Sequence, residues 1–369
     1  MSAGRRVPFG DFGAHVAAIR PEIDAAVARV LDSGWFILGP EGEAFERELA
    51  AALGTKDAVG VANGTEAIQL ALEALGIRPG DEVITSPLTA AFTALAVCRA
   101  GATPVFADLD PATLNVSPEA VARAITPKTK ALLPVHLYGH PADLDPLLAI
   151  AKEKGVPLVE DACQAHGARY KGRIVGAISG LGALSFYPTK NLGAFGDGGA
   201  VLVNDPALAA KLRRLRNGGQ TDRYHHAETG INSRLDELQA AILRVKLRHL
   251  EAWIDRRRAI AGIYHKELRD AAVAIPLEQP YARAGYHLYV VRHPRRDALA
   301  ASLKERGIGT LIHYPIPLHL QPAFAGLGGK PGDFPVAEKA AGEILSLPIY
   351  PEMTDEQALT VARAVRDVA

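Results

Sequence analysis

From Asp57 to Glu160 the chain alternates short apolar runs with longer amphipathic stretches, and this rhythm narrows the possible folds more than any other feature. Residues 59–62, 82–85, 104–107, 131–135 and 157–160 read as strands. The segments between them read as helices: 65–75, a stretch ending near residue 100, 118–125 and 144–154. Such repetition calls for a parallel or mostly parallel sheet with helices on both faces. Ligands of such sheets sit beyond the carboxyl ends of the strands, so residues just after strands are the ones to examine.

One such stretch is Ser185 to Ala200, SFYPTKNLGAFGDGGA. Apolar runs at 183–186 and 200–203 bracket a loop that carries one lysine, Lys190, and the glycines Gly193, Gly196, Gly198 and Gly199. The pattern is strand, lysine on a tight loop, strand. Surface lysines are ordinarily solvated charges. A lysine held partly out of water, however, can lose its proton near neutral pH and attack a carbonyl.

Two further loops follow strands. Asn63-Gly64-Thr65 opens a helix, where free backbone N–H groups and the helix dipole suit an anion such as phosphate. The same residues also make a good plain helix cap. The run EDACQAHGA places Asp161 near the sheet's carboxyl edge, where a carboxylate is costly to bury without a cationic partner. A protonated pyridine nitrogen is one such partner, and a capping or salt-bridge role is the plainer alternative. Ser185 is a polar residue in an apolar strand, placed to reach a ligand oxygen or to bond backbone. A phosphate cradle, an acid for a ring nitrogen and a lysine for an aldehyde are the three handles of pyridoxal 5′-phosphate. No G-x-x-x-x-G-K-[ST] occurs, nor a well-placed G-x-G-x-x-G. His225-His226 lack the spacing of a metal site, and no metal is expected.

The flanking regions are less explicit. Helices are expected at 15–32, 41–53 and 206–216, followed by a polar loop and a long, bent helix over 235–268. Beyond it a strand at 287–292, a helix at 296–306, a proline-rich loop and a last helix from residue 354 form a smaller part. The division falls near residue 250, with a large α/β domain at 1–250 and a small α+β domain at 251–369. The net charge of zero gives no reason to expect nucleic acid or a membrane surface, and no apolar run is long enough to span a bilayer. Two cysteines without metal spacing and a first segment without a signal peptide's apolar core suggest the cytoplasm.

The motifs NGTEAIQLAL, VEDACQAHGA, SFYPTKNLGAFGDGGA and GINSRLDELQAAIL resemble those of the DegT/StrS sugar aminotransferases, of the aspartate-aminotransferase fold (fold type I), over nearly the whole chain. The resemblance implies that Lys190 binds the cofactor covalently and that Asp161 pairs with its ring nitrogen. It sets Gln164 near the ring hydroxyl and Gly64, Thr65 and Ser185 at the phosphate. Asn232 would reach the phosphate in the neighbouring subunit of a homodimer. Many members of the family it resembles place an aromatic residue over the ring where this chain has Ala90, so either Phe92 or another residue covers the ring, or the pocket above it is more open. The stretches RNGGQTDRYHHAETGINSRL and IHYPIPLHLQPAF look most like enzymes that aminate C3 of a dTDP-linked 3-keto-6-deoxyhexose with glutamate as donor. Trp35, His313, Tyr314 and His319 are candidate substrate contacts. Amination at C4 of a UDP-, GDP- or dTDP-linked 4-keto sugar is the near alternative. A related deoxygenating dehydratase would have histidine in place of Lys190, and a non-catalytic cofactor-binding regulator would bind the cofactor without turnover.

Overall fold

The computed structural model describes residues 6–369. Helices α1 (Phe12–Ser33) and α2 (Pro40–Leu53) precede the alternating region: β1 (Asp57–Val61), α3 (Gly64–Ala74), β2 (Glu82–Thr85), α4 (Ala91–Arg99), β3 (Thr103–Phe106), α5 (Pro118–Ala124), β4 (Thr129–Leu132), α6 (Leu144–Lys154) and β5 (Glu160–Asp161). A small hairpin, β6 (Arg169–Tyr170) and β7 (Arg173–Ile174), leads into β8 (Leu181–Ser185) and β9 (Gly199–Val203), then α7 (Pro206–Leu215). Next come a second hairpin, β10 (Gln220–Asp222) and β11 (His225–His226), and the helix α8 (Glu237–Leu268). The remainder is β12 (Ala282–Arg283), β13 (Tyr289–Arg292), α9 (Arg296–Glu305), α10 (Pro335–Glu343), β14 (Ile344–Leu347) and α11 (Asp355–Val368).

A four-stranded sheet, β1-β9-β8-β5, and a three-stranded one, β3-β2-β4, meet through parallel bridges Leu132–Leu158 and Val135–Asp161 to form one continuous layer. Only β9 within that layer runs against its neighbours. Strand alternation divides the interior in two. Val59, Val61, Val201 and Val203 pack on one face with α3, α4 and α7. Ala58, Ala200 and Leu202 pack on the other with α2, α5, α6 and the first half of α8. The second half of α8 enters a separate core with α9, α11, β13 and β14.

The expected elements are present, with ends shifted by up to three residues. The polar loop after α7 contains the β10–β11 hairpin, and the proline-rich loop contains two short 3-10 turns. Helix α10 and strand β14 were not expected; β14 exists because it pairs antiparallel with β13, from Tyr289–Leu347 to Arg292–Ile344. No helix among the described residues is long and apolar enough to cross a membrane.

Glu237, in the first turn of α8, caps a different helix. Its buried carboxylate accepts the Gly39 and Gly42 amides at 2.9 Å and the Glu41 amide at 2.8 Å. These are orphan donors around the start of α2, where a negative charge also meets the positive end of the helix dipole. Replacing Glu237 by Ala should lower unfolding stability by about 3 kcal/mol, since buried amides lose a charged acceptor. Urea unfolding followed by far-UV circular dichroism would measure this, with Glu237→Gln recovering part of the loss.

Candidate active site

β1, β8 and β5 run parallel, so their carboxyl ends share one edge, and β9 starts there. Gly64 begins α3 directly after β1, with Asn63 as its cap accepting the Glu66 amide at 2.9 Å. The turn lies hard against the end of β8. A Cβ on Gly64 would stand 2.6 Å from the Ser185 Cβ and 3.0 Å from the Cys163 sulfur. A Cβ on Gly199 would stand 2.5 Å from the Asn63 carbonyl. Only glycines at these two places let the open end of α3 sit flat on the sheet edge. Gly64, Thr65 and Ser185 are thereby brought together around the start of α3, where free amides and the helix dipole suit an anion.

Asp161 closes β5 on the same edge and is buried. Its backbone is clamped to the loop after β4: its amide donates to the Pro134 carbonyl at 2.9 Å and its carbonyl accepts the His136 amide at 3.0 Å. One carboxylate oxygen accepts the Thr93 hydroxyl at 2.8 Å and the other the Cys163 amide at 3.1 Å. Among the described residues no cationic side chain pairs with it within 4.0 Å.

Lys190 lies beyond β8, half-buried, its backbone amide bonded to the Tyr187 carbonyl at 2.8 Å. Burial lowers its ammonium pKa, and the nearby Cys163 and Asp161 only partly oppose that. Its charge bears on three imidazoles. Burial first, and Lys190 second, hold His166 down at about 3 and His313 at about 4. The same two causes, joined by Arg257, drive His287 well below its ordinary value. Nδ1 of His287 and Oδ1 of Asn191 are buried without a hydrogen-bond partner.

Gln164 ties this floor to the C-terminal part. Its Oε1 accepts the Tyr138 amide at 2.9 Å, and its Nε2 donates to the Tyr314 hydroxyl at 3.2 Å. The Tyr138 hydroxyl in turn donates to the His313 carbonyl. His313 Nδ1 bonds Ser346 Oγ at 2.8 Å. Burial and then the Asp161 charge push the Tyr314 phenol up, so it keeps its proton as a donor.

The other expected residues lie elsewhere. Trp35 is exposed, its indole N–H bonded to the Ile37 carbonyl at 2.8 Å. His319 is buried, its Nε2 3.0 Å from Glu338 and its ring edge-on to Phe334. Asn232 is exposed, although its neighbour Ser233 accepts the Ala62 amide at 3.1 Å beside the β1–α3 turn. Ala90 precedes α4, and Phe92 is 62% exposed. Sequence reasoning missed Thr93 and His287. The only trace of Thr93 in the sequence is a hydroxyl inside the apolar run AFTALAV.

A buried carboxylate, a lysine of lowered basicity and a helix-start anion cradle on one sheet edge define an α/β enzyme built around a phosphorylated carbonyl cofactor. The profile of the DegT/DnrJ/EryC1/StrS aminotransferase family matches residues 17–366, and the chain belongs to that family. A dTDP-3-amino-3,4,6-trideoxy-alpha-D-glucose transaminase of Streptomyces venezuelae is 53% identical over 365 residues, covering 99% of this chain and 96% of the relative. The crystal structure of S. venezuelae DesV in complex with a ketimine intermediate superposes with a TM-score of 0.97 at 53% identity, covering 98% of each chain. NtdA from Bacillus subtilis with bound cofactor PMP superposes with a TM-score of 0.91 at 30% identity, over 98% of this chain and 85% of that one.

The neutral histidines make the site sensitive to acid. On unfolding below about pH 6.5 each imidazole takes up a proton that it refuses in the fold, so stability falls as pH drops towards the depressed folded values. Unfolding free energies of the cofactor-free protein between pH 6 and pH 4 should fall with pH. In His166→Gln the slope should be shallower by about 1.4 kcal/mol per pH unit.

Proposed function

We propose that this aminotransferase moves the amino group of L-glutamate to C3 of a dTDP-linked 3-keto-6-deoxyhexose and releases 2-oxoglutarate. The observation that carries the reading is Lys190, an amine made less basic by burial, on the same sheet edge as the anchored Asp161 carboxylate. The residues fit pyridoxal 5′-phosphate. The start of α3 at Gly64 leaves a cradle that a Cβ would fill, and Asp161 is buried without a cation of its own. The sugar class is supported by a relative of 53% identity whose name states it.

The cofactor, when bound, supplies an aldehyde that takes up the amino group and a ring that accepts the electron pair left when the donor's Cα–H bond breaks. Everything else falls to the chain. The Gly64 and Thr65 amides and the Ser185 hydroxyl hold the phosphate. Asp161 keeps a proton on the ring nitrogen, because its fixed carboxylate favours a cation there. Lys190 Nζ, unprotonated at lower pH than an exposed lysine, would take the proton from the donor's Cα and deliver it to the cofactor's C4′ within the first half of the cycle, and would run the same transfer in reverse, to C3 of the sugar, in the second. Gln164 orients the ring hydroxyl, and the Tyr314 hydroxyl and His313 offer bonds to the sugar.

We take the working unit as a homodimer in the cytoplasm, with Asn232 of the partner subunit reaching each phosphate. An exposed Asn232 and exposed Trp35, Phe36, Tyr187, Phe195 and Tyr224 suit a covered face. Both cysteines are free thiols, in keeping with a reducing compartment. Residues 1–250 would form the cofactor domain and 251–369 the smaller one.

The test is a pair of half-reactions. Glutamate should bleach the visible absorbance of the holoprotein, and a dTDP-3-keto-6-deoxyhexose should restore it. Lys190→Ala should show neither change and lose turnover by at least about 10³-fold. A coloured protein that ignores glutamate would favour a regulatory role, and restoration only by 4-keto sugars would move the amination to C4.

A further inference from the structure

Asp161 is held by a residue that none of the site's motifs contains. Thr93 is buried in the first turn of α4, 68 residues upstream in sequence, and donates its hydroxyl to Asp161 Oδ2 at 2.8 Å. A threonine within a helix usually turns its hydroxyl back to a carbonyl of its own helix. This one bonds across to β5 instead. We propose that Thr93 is a positioning residue for the reaction, fixing the Asp161 carboxylate in the orientation in which it meets the cofactor's ring nitrogen. The proposal rests on reading Asp161 as the partner of that nitrogen.

The hydrogen-bond directions support it. A hydroxyl has one proton to donate, and Thr93 gives it to Asp161 Oδ2, which accepts it. The Thr89 hydroxyl lies 3.4 Å from that of Thr93 and can donate into its free lone pair, so the chain runs one way, from Thr89 through Thr93 to Asp161. The Cys163 amide holds the other oxygen at 3.1 Å. With one donor on each oxygen and the backbone clamped to Pro134 and His136, the plane of the carboxylate is set before any ligand arrives. The remaining lone pairs stay free for a cation. Thr89 and Thr93 lie on either side of Ala90, so the turn into α4 brings both hydroxyls to the carboxylate's side.

The test uses cofactor affinity, which a purely structural threonine acting elsewhere would not change through Asp161. Pyridoxal 5′-phosphate is titrated into cofactor-free wild type, T93V, T93S, D161N and the T93V/D161N double variant, with the melting temperature of each cofactor-free protein recorded. T93V keeps the volume but loses the donor, and should bind about ten- to a hundredfold more weakly, the range for losing a hydrogen bond to a charged group. T93S restores the donor and should stay within about threefold of wild type. In the D161N background T93V should add less than about twofold, because its effect passes through the carboxylate. If T93V does not fold, T93A takes its place in the same cycle. Wild-type affinity in T93V beside a weakened D161N would overturn the proposal, as would a T93V loss that persists undiminished in D161N. Wild-type affinity in D161N would overturn the reading of Asp161 itself, and the proposal with it.

Discussion

A carboxylate buried without a cation is costly, and the end of β5 contains one. Asp161 receives a hydroxyl and an amide, which steady it without neutralising it. The lysine that could neutralise it is near enough to feel the carboxylate's charge, yet sits on a different segment. Asp161 is in register with Ala183 of β8, whereas Lys190 lies beyond the end of that strand, tied back to Tyr187. Had the two closed into an ion pair, the amine would be locked as an ammonium and lost as a base. Holding them on adjacent but separate supports leaves the Asp161 carboxylate without a cationic partner, the condition under which a cation such as a pyridinium would be favoured there.

The residue before Asp161 shows the opposite solution. Glu160 points to the other face of the sheet, as strand alternation requires, and every bond there is internal. Burial alone would raise its pKa, but His136 and the Gly176 and Ser179 amides more than offset this and hold the carboxyl below its usual range. That carboxylate ties β5 to the turn before β8 and has nothing left for a ligand. Two neighbouring acids thus divide the work, one stabilising the sheet and the other serving the pocket. The histidines around Lys190 extend the same logic. Kept neutral by burial, they add polar atoms without adding positive charge that would compete for the site's anions.

Much of this was legible from the sequence because it is local. Strands and helices between Asp57 and Glu160 follow from period and punctuation; Gly64, Asp161 and Lys190 are marked by standing at or beyond strand ends, and Ser185 by being polar within an apolar strand. What escaped depends on distant partners. β14 looks like an ordinary apolar tetrapeptide until β13 pairs with it, and the reversed direction of β9 depends on how the loop bearing Lys190 folds back. Thr93 carries no local signal, since a threonine in a helix is unremarked until its hydroxyl is seen leaving that helix. His319 erred in the other direction: it stood in a loop rich in candidate contacts, but the fold gives it to Glu338 and Phe334. Loop sequence alone does not say which of several polar side chains faces inward.

The C-terminal part reaches the site through few points, and their chemistry is informative. Arg257, midway along α8, donates to the carbonyls of Tyr286, His287 and Ile349, and burial pushes its pKa down to about 10. A guanidinium so placed fixes backbone rather than pairing with an acid, which anchors the segment bearing His287 beside Lys190. The loop bearing His313 and Tyr314 is joined to the cofactor floor by Gln164 on one side and by Tyr138 on the other. Gln164 is therefore a shared support: the side chain expected to meet the ring also holds the tyrosine expected to meet the sugar. A change in that loop would therefore be felt at Gln164, the residue expected to meet the ring, and not only where the sugar is expected to bind.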